Sequence, residues 1–219
     1  MAKTLATGTI QAVAKTYGAS VAMSAITNST AGGEAVATLA PAHGCIVGDY
    51  IEIKSGWGKL DGQIHRVKTV ATNDVTLEGF DTNNTTNYPA ATGAGSIRRI
   101  TAWTNLSQVK SLGSSGGDQQ YADVTAIDDV VERKIPTVRS AITADYEVFD
   151  DPSLAWYADV QKASDASTPY GIRYSFPNGS KLVASAYWSL LKVPMITKNE
   201  ALTSKISVSF DASPMRYTA

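Results

Sequence analysis

Alternation with a period of two residues dominates the second half of the chain. In PTVRSAITADYEV, Val138, Ile142, Ala144, Tyr146 and Val148 share one phase, and Thr137, Arg139, Thr143, Asp145 and Glu147 take the other. Successive side chains of a strand point to opposite faces, so this pattern predicts one long, half-buried strand. GIRYSF alternates Ile172, Tyr174 and Phe176 against Arg173 and Ser175, and KISVSFDAS alternates Ile206, Val208 and Phe210 against Lys205, Ser207, Ser209 and Asp211. KLVASAYWSLLKVPM is apolar in both phases, as a strand covered on two sides must be. Asn178-Gly179 within PNGS supplies the tight turn of a hairpin. One helix interrupts the strands: in DDPSLAWYADVQKAS, Asp151 is placed as N-cap, Pro152 opens the helix, and Leu154, Trp156, Tyr157 and Val160 form its apolar face.

The first hundred residues have a different texture. DYIEIK, QIHRVKTV, DVTLEGF and SIRRIT are short β-branched runs separated by SGWGKLDG, ATND and DTNNTTNYPAATGAG. Strands at such close spacing predict a small all-β barrel or sandwich over residues 31–101, inserted into a domain formed by residues 1–30 and 102–219. In residues 1–30, Ile10, Val13, Val21, Met23 and Ile26 suggest one or two strands with a turn at Gly18, either a strand pair or an arm that orders against a neighbour. The fold class expected is therefore mainly β: an antiparallel sandwich or barrel with one packed helix, plus a β-module.

Composition narrows the function. Hydrophobic residues make up 43% of the 219, enough for a packed core, while charged residues make up 18% with a net charge of -1. A chain that grips nucleic acid carries an excess of Lys and Arg, and none is present. The single cysteine excludes an internal disulfide, no stretch approaches the ~18 apolar residues of a membrane helix, and MAKTLATGTIQAVAKTYG lacks a signal-peptide core. These features describe a soluble product of the cytosol.

Candidate chemistry is sparse. His43, Cys45 and His65 lack the second cysteine or paired histidine spacing of a zinc site, and Cys45 has no flanking nucleophile elbow. The glycine runs match no phosphate-binding loop, and Asp150-Asp151 precede a proline where capping accounts for them. No catalytic, cofactor or metal residues are assigned, and the chain is read as a non-enzyme. Two contact candidates remain. One is the loop Ser111, Leu112, Gly113, Ser114, Ser115, Gly116, Gly117 and Asp118, costly to order and so either mobile or docked. The other is Trp57, in a glycine-rich hairpin tip where exposure would mark a contact surface.

The order ADYEVFDD, PSLAWYADVQKAS, YGIRYSFPNGSKLVASAYWSLLKVP and ALTSKISVSFDASPMRYT resembles the major tail tube proteins of long, non-contractile-tailed bacteriophages. The resemblance covers residues 102–219 and, more loosely, 1–30. HGCIVGDYIEIKSGW with LDGQIHRVKTVATNDVTLEG is similar to a small β-module recurrent in phage tail and fibre proteins. The resemblance implies a virion protein, made in the host cytoplasm, that forms hexameric rings stacked into a tube through which genomic DNA passes unbound. It also implies partners in the tape measure, tail terminator and distal tail proteins, and no membrane. A tail-completion or head–tail connector protein, and a carbohydrate- or cell-surface-binding β-protein using Trp57, stand as alternatives.

Overall fold

The computed structural model describes residues 7–29 and 33–219. Fourteen strands and one helix run in the order β1 (Ile10–Thr27), β2 (Val36–Leu39), β3 (Tyr50–Ser55), β4 (Ile64–Ala71), β5 (Asp74–Leu77), β6 (Gly95–Asn105), β7 (Val109–Ser115), β8 (Gln119–Asp123), β9 (Lys134–Arg139), β10 (Thr143–Phe149), α1 (Ala155–Ala166), β11 (Tyr170–Ser175), β12 (Lys181–Leu190), β13 (Thr203–Phe210) and β14 (Met215–Tyr217). All but β8 and β9 join one antiparallel sheet.

That sheet does two things. Its run β2-β5-β4-β3-β6-β1 closes on itself because β2 also pairs with β1, so six strands form a small barrel. Met23, Leu39, Ile51, Ile53, Val67, Val75, Leu77 and Ile97 fill it, all at most 2% exposed. Closure leaves no free edge in this half. Beyond the barrel, β1 and β6 run on into the order β6-β1-β11-β12-β13-β10-β7. Its outermost members, β6 and β7, are joined by only Leu106, Ser107 and Gln108. That link spans at most about 14 Å, whereas seven flat strands would separate the edges by about 29 Å. The sheet must curl, and α1 lies within the curl with Trp156, Val160 and Ala163 buried against the core that also holds Tyr146, Ile172, Ala184 and Ile206.

A third cluster joins the halves. Ala14, Tyr50, Ile64, Ile100, Val183 and Tyr217 pack together, bringing β4 of the barrel against β12 and β14. The Tyr217 hydroxyl accepts the Arg66 N–H at 2.9 Å, and the Arg66 guanidinium, bidentate to Glu78, stacks over the Tyr217 ring.

Several expectations are corrected. Residues 10–27 form one strand, not a pair with a turn: Gly18 lies inside β1, in a stretch where the register against β6 shifts repeatedly. Residues 1–6 and 30 lie outside the described residues. The predicted long strand from Thr137 breaks at Ser140–Ile142, because β9 pairs with β8 while β10 pairs with β7 and β13. The helix begins at Ala155 rather than at Pro152, and Asp151 instead closes a turn, its carboxylate accepting the Ser153 N–H at 3.0 Å and hydroxyl at 2.6 Å. The hairpin turn is as predicted, with Gly179 at φ +80°.

Candidate assembly surface

The cluster of titratable residues around His43 and Cys45 is a turn. His43 Nδ1 accepts the Cys45 N–H at 3.1 Å, which leaves Nε2 to donate to the Thr72 carbonyl at 2.9 Å. Asp49 accepts the Ile46 N–H, Arg99 donates to the Gly44 carbonyl, and burial pushes the Cys45 thiol up. His65 lies elsewhere, fully buried against Phe80 with Nε2 donating to the Gln63 side chain at 2.8 Å. Gln63 in turn donates its amide to the Lys59 carbonyl, so its oxygen faces the histidine. Among the described residues no group of three or more His, Cys, Asp or Glu could hold a metal ion, and no helix is long and apolar enough to cross a membrane.

Trp57 is not an exposed contact. It is 1% exposed, its Nε1 donates to the Pro89 carbonyl at 2.8 Å and to the Thr92 hydroxyl at 3.0 Å, and Tyr88 packs edge-on against it. The loop between β5 and β6 closes over the indole because residue 93 is glycine: a Cβ there would sit 2.3 Å from Ile26 and 2.7 Å from the ring. Tyr50 and Phe80 are buried as well, and the large apolar side chains that the barrel exposes among the described residues are Ile46 and Val47.

Residues Ser111–Asp118 are likewise not a slack loop. Ser111–Ser115 belong to β7, the edge strand, paired with β10 from Val109↔Val148 to Ser115↔Thr143. Gly116 and Gly117, at φ +87° and +84°, then turn the chain outward. A Cβ on Gly116 would lie 1.9 Å from the Ala141 carbonyl, so only glycine fits. Beyond this turn the chain forms an arm, in which β8 and β9 make a two-stranded sheet of their own. It exposes Tyr121 (60%), Ile127 (108%), Val130 (101%) and Val138 (73%). An isolated hairpin is marginal in water, and one with apolar side chains on its surface is built for a partner. The sequence signal was present in the neighbouring Val130 and Val131 and in the β-branched Ile135, Thr137 and Val138, but it reads equally well as a buried strand.

Two more features complete the surface. Among the described residues, the backbone of β7 and the Thr101–Asn105 end of β6 are unpaired on their outer sides, leaving two strand edges. The outward face of β7, β10, β12 and β13 is polar, carrying Ser111, Ser115, Thr143, Ser189, Ser207 and Ser209. Its charges are paired: Asp145 with Lys205 at 3.2 Å and Glu147 with Lys110 at 2.8 Å.

An exposed apolar arm and open strand edges mark a β-protein with surfaces suited to association. The sequence profile of the phage tail tube proteins matches residues 55–219, and the chain belongs to that family. It is thus a structural component of a phage tail. Among solved structures it is similar to the cap that terminates the tube of the anti-feeding prophage, with 20% identity and a TM-score of 0.35 over 49% of this chain and 79% of that one. That degree of likeness carries no functional argument. No curated protein matches.

Proposed function

We propose that this chain is the repeating subunit of the tail tube of a long, non-contractile-tailed phage. Copies join side by side into rings of six, rings stack into a hollow tube, and the genome passes through the lumen on ejection. The observation that carries this reading is the family match, which runs through every strand from β6 to β14 and through α1. Geometry supports the details. Free edges on β7 and β6 are hazards in a monomer and assets in a ring, where neighbouring copies cover them. A serine- and threonine-rich face with paired charges suits a lumen, since DNA that must slide should meet water and neutral hydroxyls rather than lysines. The arm, not the Ser111–Ser115 stretch at its base, is the segment that reaches another ring. The barrel, formed by β1 to β6, stands on the outside of the wall. At the ends of the tube the subunit meets the tape measure, terminator and distal tail proteins.

Electron microscopy of the purified protein, made in the cytoplasm of a bacterial host, tests the reading. Rings of six or tubes are expected. A chain that stays monomeric at high concentration sinks it. A copy number of one ring per virion would instead assign it as a connector or completion protein.

A further inference from the structure

The strand registers give the curled sheet two ends with different chemistry. At one end lie Ser115 and Thr143, Phe210, the turn after β11, and the base of the arm. There the core opens into an apolar groove of about 270 Å³ lined by Leu112, Ile142, Tyr174, Phe176, Leu182 and Phe210. At the other end lie Val148, Phe149, Leu190 and Thr203. There the connection from β12 to β13 projects Val193 (71% exposed), Met195 (41%), Ile196 (77%) and Leu202 (45%) into solvent, beside Phe149 at 37%. A recess and an apolar projection thus sit at opposite ends of the same strands. Strand directions forbid the projection of one chain from reaching its own groove.

The geometry points to a head-to-tail contact in which the β12–β13 connection of one copy fills the groove at the arm base of a second copy of this chain. The contact rests on the tube-subunit reading only in needing copies to associate. Two different patches meeting make a heterologous interface, which repeats along an axis rather than closing in pairs. Burial of Val193 and Ile196 in the groove removes apolar surface from both partners at once. Charge favours the same pairing. The arm, Asp118–Arg139, carries Asp118, Asp123, Asp128, Asp129 and Glu132 against Arg133, Lys134 and Arg139. The projecting connection carries Lys192 and Lys198 against Glu200, and Lys198 forms no ion pair among the described residues. An arm of net negative charge rooted at the groove's rim therefore meets an incoming loop of net positive charge.

Cysteine cross-linking tests the contact, because the native Cys45 is 5% exposed and does not compete. The variant carrying both Leu112→Cys and Ile196→Cys is expected to give, on mild oxidation, a ladder of dimer, trimer and longer species on a non-reducing gel. The two single variants mixed should give dimer and nothing longer, and each alone should stay uncrosslinked. Dimers from one single variant alone, or no ladder under conditions where the wild-type chain sediments as an assembly, overturn the contact and leave the tube reading standing. A wild-type chain that never assembles overturns both. As a second readout, Ile196→Asp is expected to raise the concentration needed for assembly at least tenfold. Ile46→Asp on the barrel, 63% exposed, should leave it unchanged, and equal effects of the two also count against the contact.

Discussion

The carboxylate of Glu52 on β3, 2% exposed, lies 2.6 Å from the guanidinium of Arg98 on β6, which in turn stacks 4.6 Å over the ring of Tyr17 on β1. Three adjacent strands are tied by one cation. Removing it leaves a buried carboxylate without a partner, and an orphaned buried charge costs far more than the pair contributes. Arg98→Ala should lower the unfolding free energy by about 3 kcal/mol. Adding Glu52→Gln to that variant should recover part of the loss. Denaturant midpoints of the single and double variants check both.

His65 gives the fold an acid limit. Burial pushes its pKa down from 6.5 to about 3, and among the described residues its Nδ1 has no partner and no carboxylate faces it. The unfolded chain therefore binds a proton near pH 6.5 that the folded chain refuses until about pH 3. His65 thus withdraws stability as pH falls through that window, and the stability is fully present above it. The slope is at most about 1.4 kcal/mol per pH unit for this one group. Melting between pH 7 and 5 should show the loss, and His65→Leu should flatten it in the upper part of the window, before the carboxylates titrate.

Trp57→Ala should destabilise the barrel by about 3–5 kcal/mol, since it empties a buried indole site and strips the loop over it of two hydrogen bonds. The measurable outcomes are a lower melting temperature and faster proteolysis at residues 81–94. A variant that melts like wild type yet loses affinity for some ligand would overturn this structural assignment.

Replacing Gln119–Arg139 with Asn-Gly should leave a folded chain that still forms rings but no longer stacks them into tubes. Asp118 and Ser140 already face each other, with the Ser140 N–H donating to the Asp118 carbonyl at 2.9 Å, so a two-residue turn fits between them. Circular dichroism and thermal melting check the fold, and sedimentation velocity checks the assembly. Deleting Ser111–Asp118 instead would remove the β7 edge strand, and with it part of the sheet.

The same physics explains which parts of this fold could be read from the chain. β10 to β13 were legible because one face of each is dry, and Asn178-Gly179 because only a few residues tolerate that turn. β1 was not, because it serves two cores: Ala12, Val13 and Ala14 are buried in succession, then Met23 and Ile26 in a new phase across a bulged middle. β2, with only four residues, gave too short a pattern to read as a strand. Trp57 misled because glycines on either side of it imply a loose tip, while the covering loop is contributed from thirty residues away. The arm misled because valines and isoleucines carry the same pattern whether the chain's own core or a neighbouring copy covers them.

The strands β1 and β6 belong to the barrel and to the curled sheet alike, and the Arg66–Tyr217 contact pins a second point between them. Two shared strands and a packed contact, rather than a linker, join the two halves. A barrel mounted in this way is held in orientation against its base. Wherever copies of this chain are fixed in a lattice, their barrels are indexed to it, and whatever the barrels present is displayed at one spacing and one angle along the whole length.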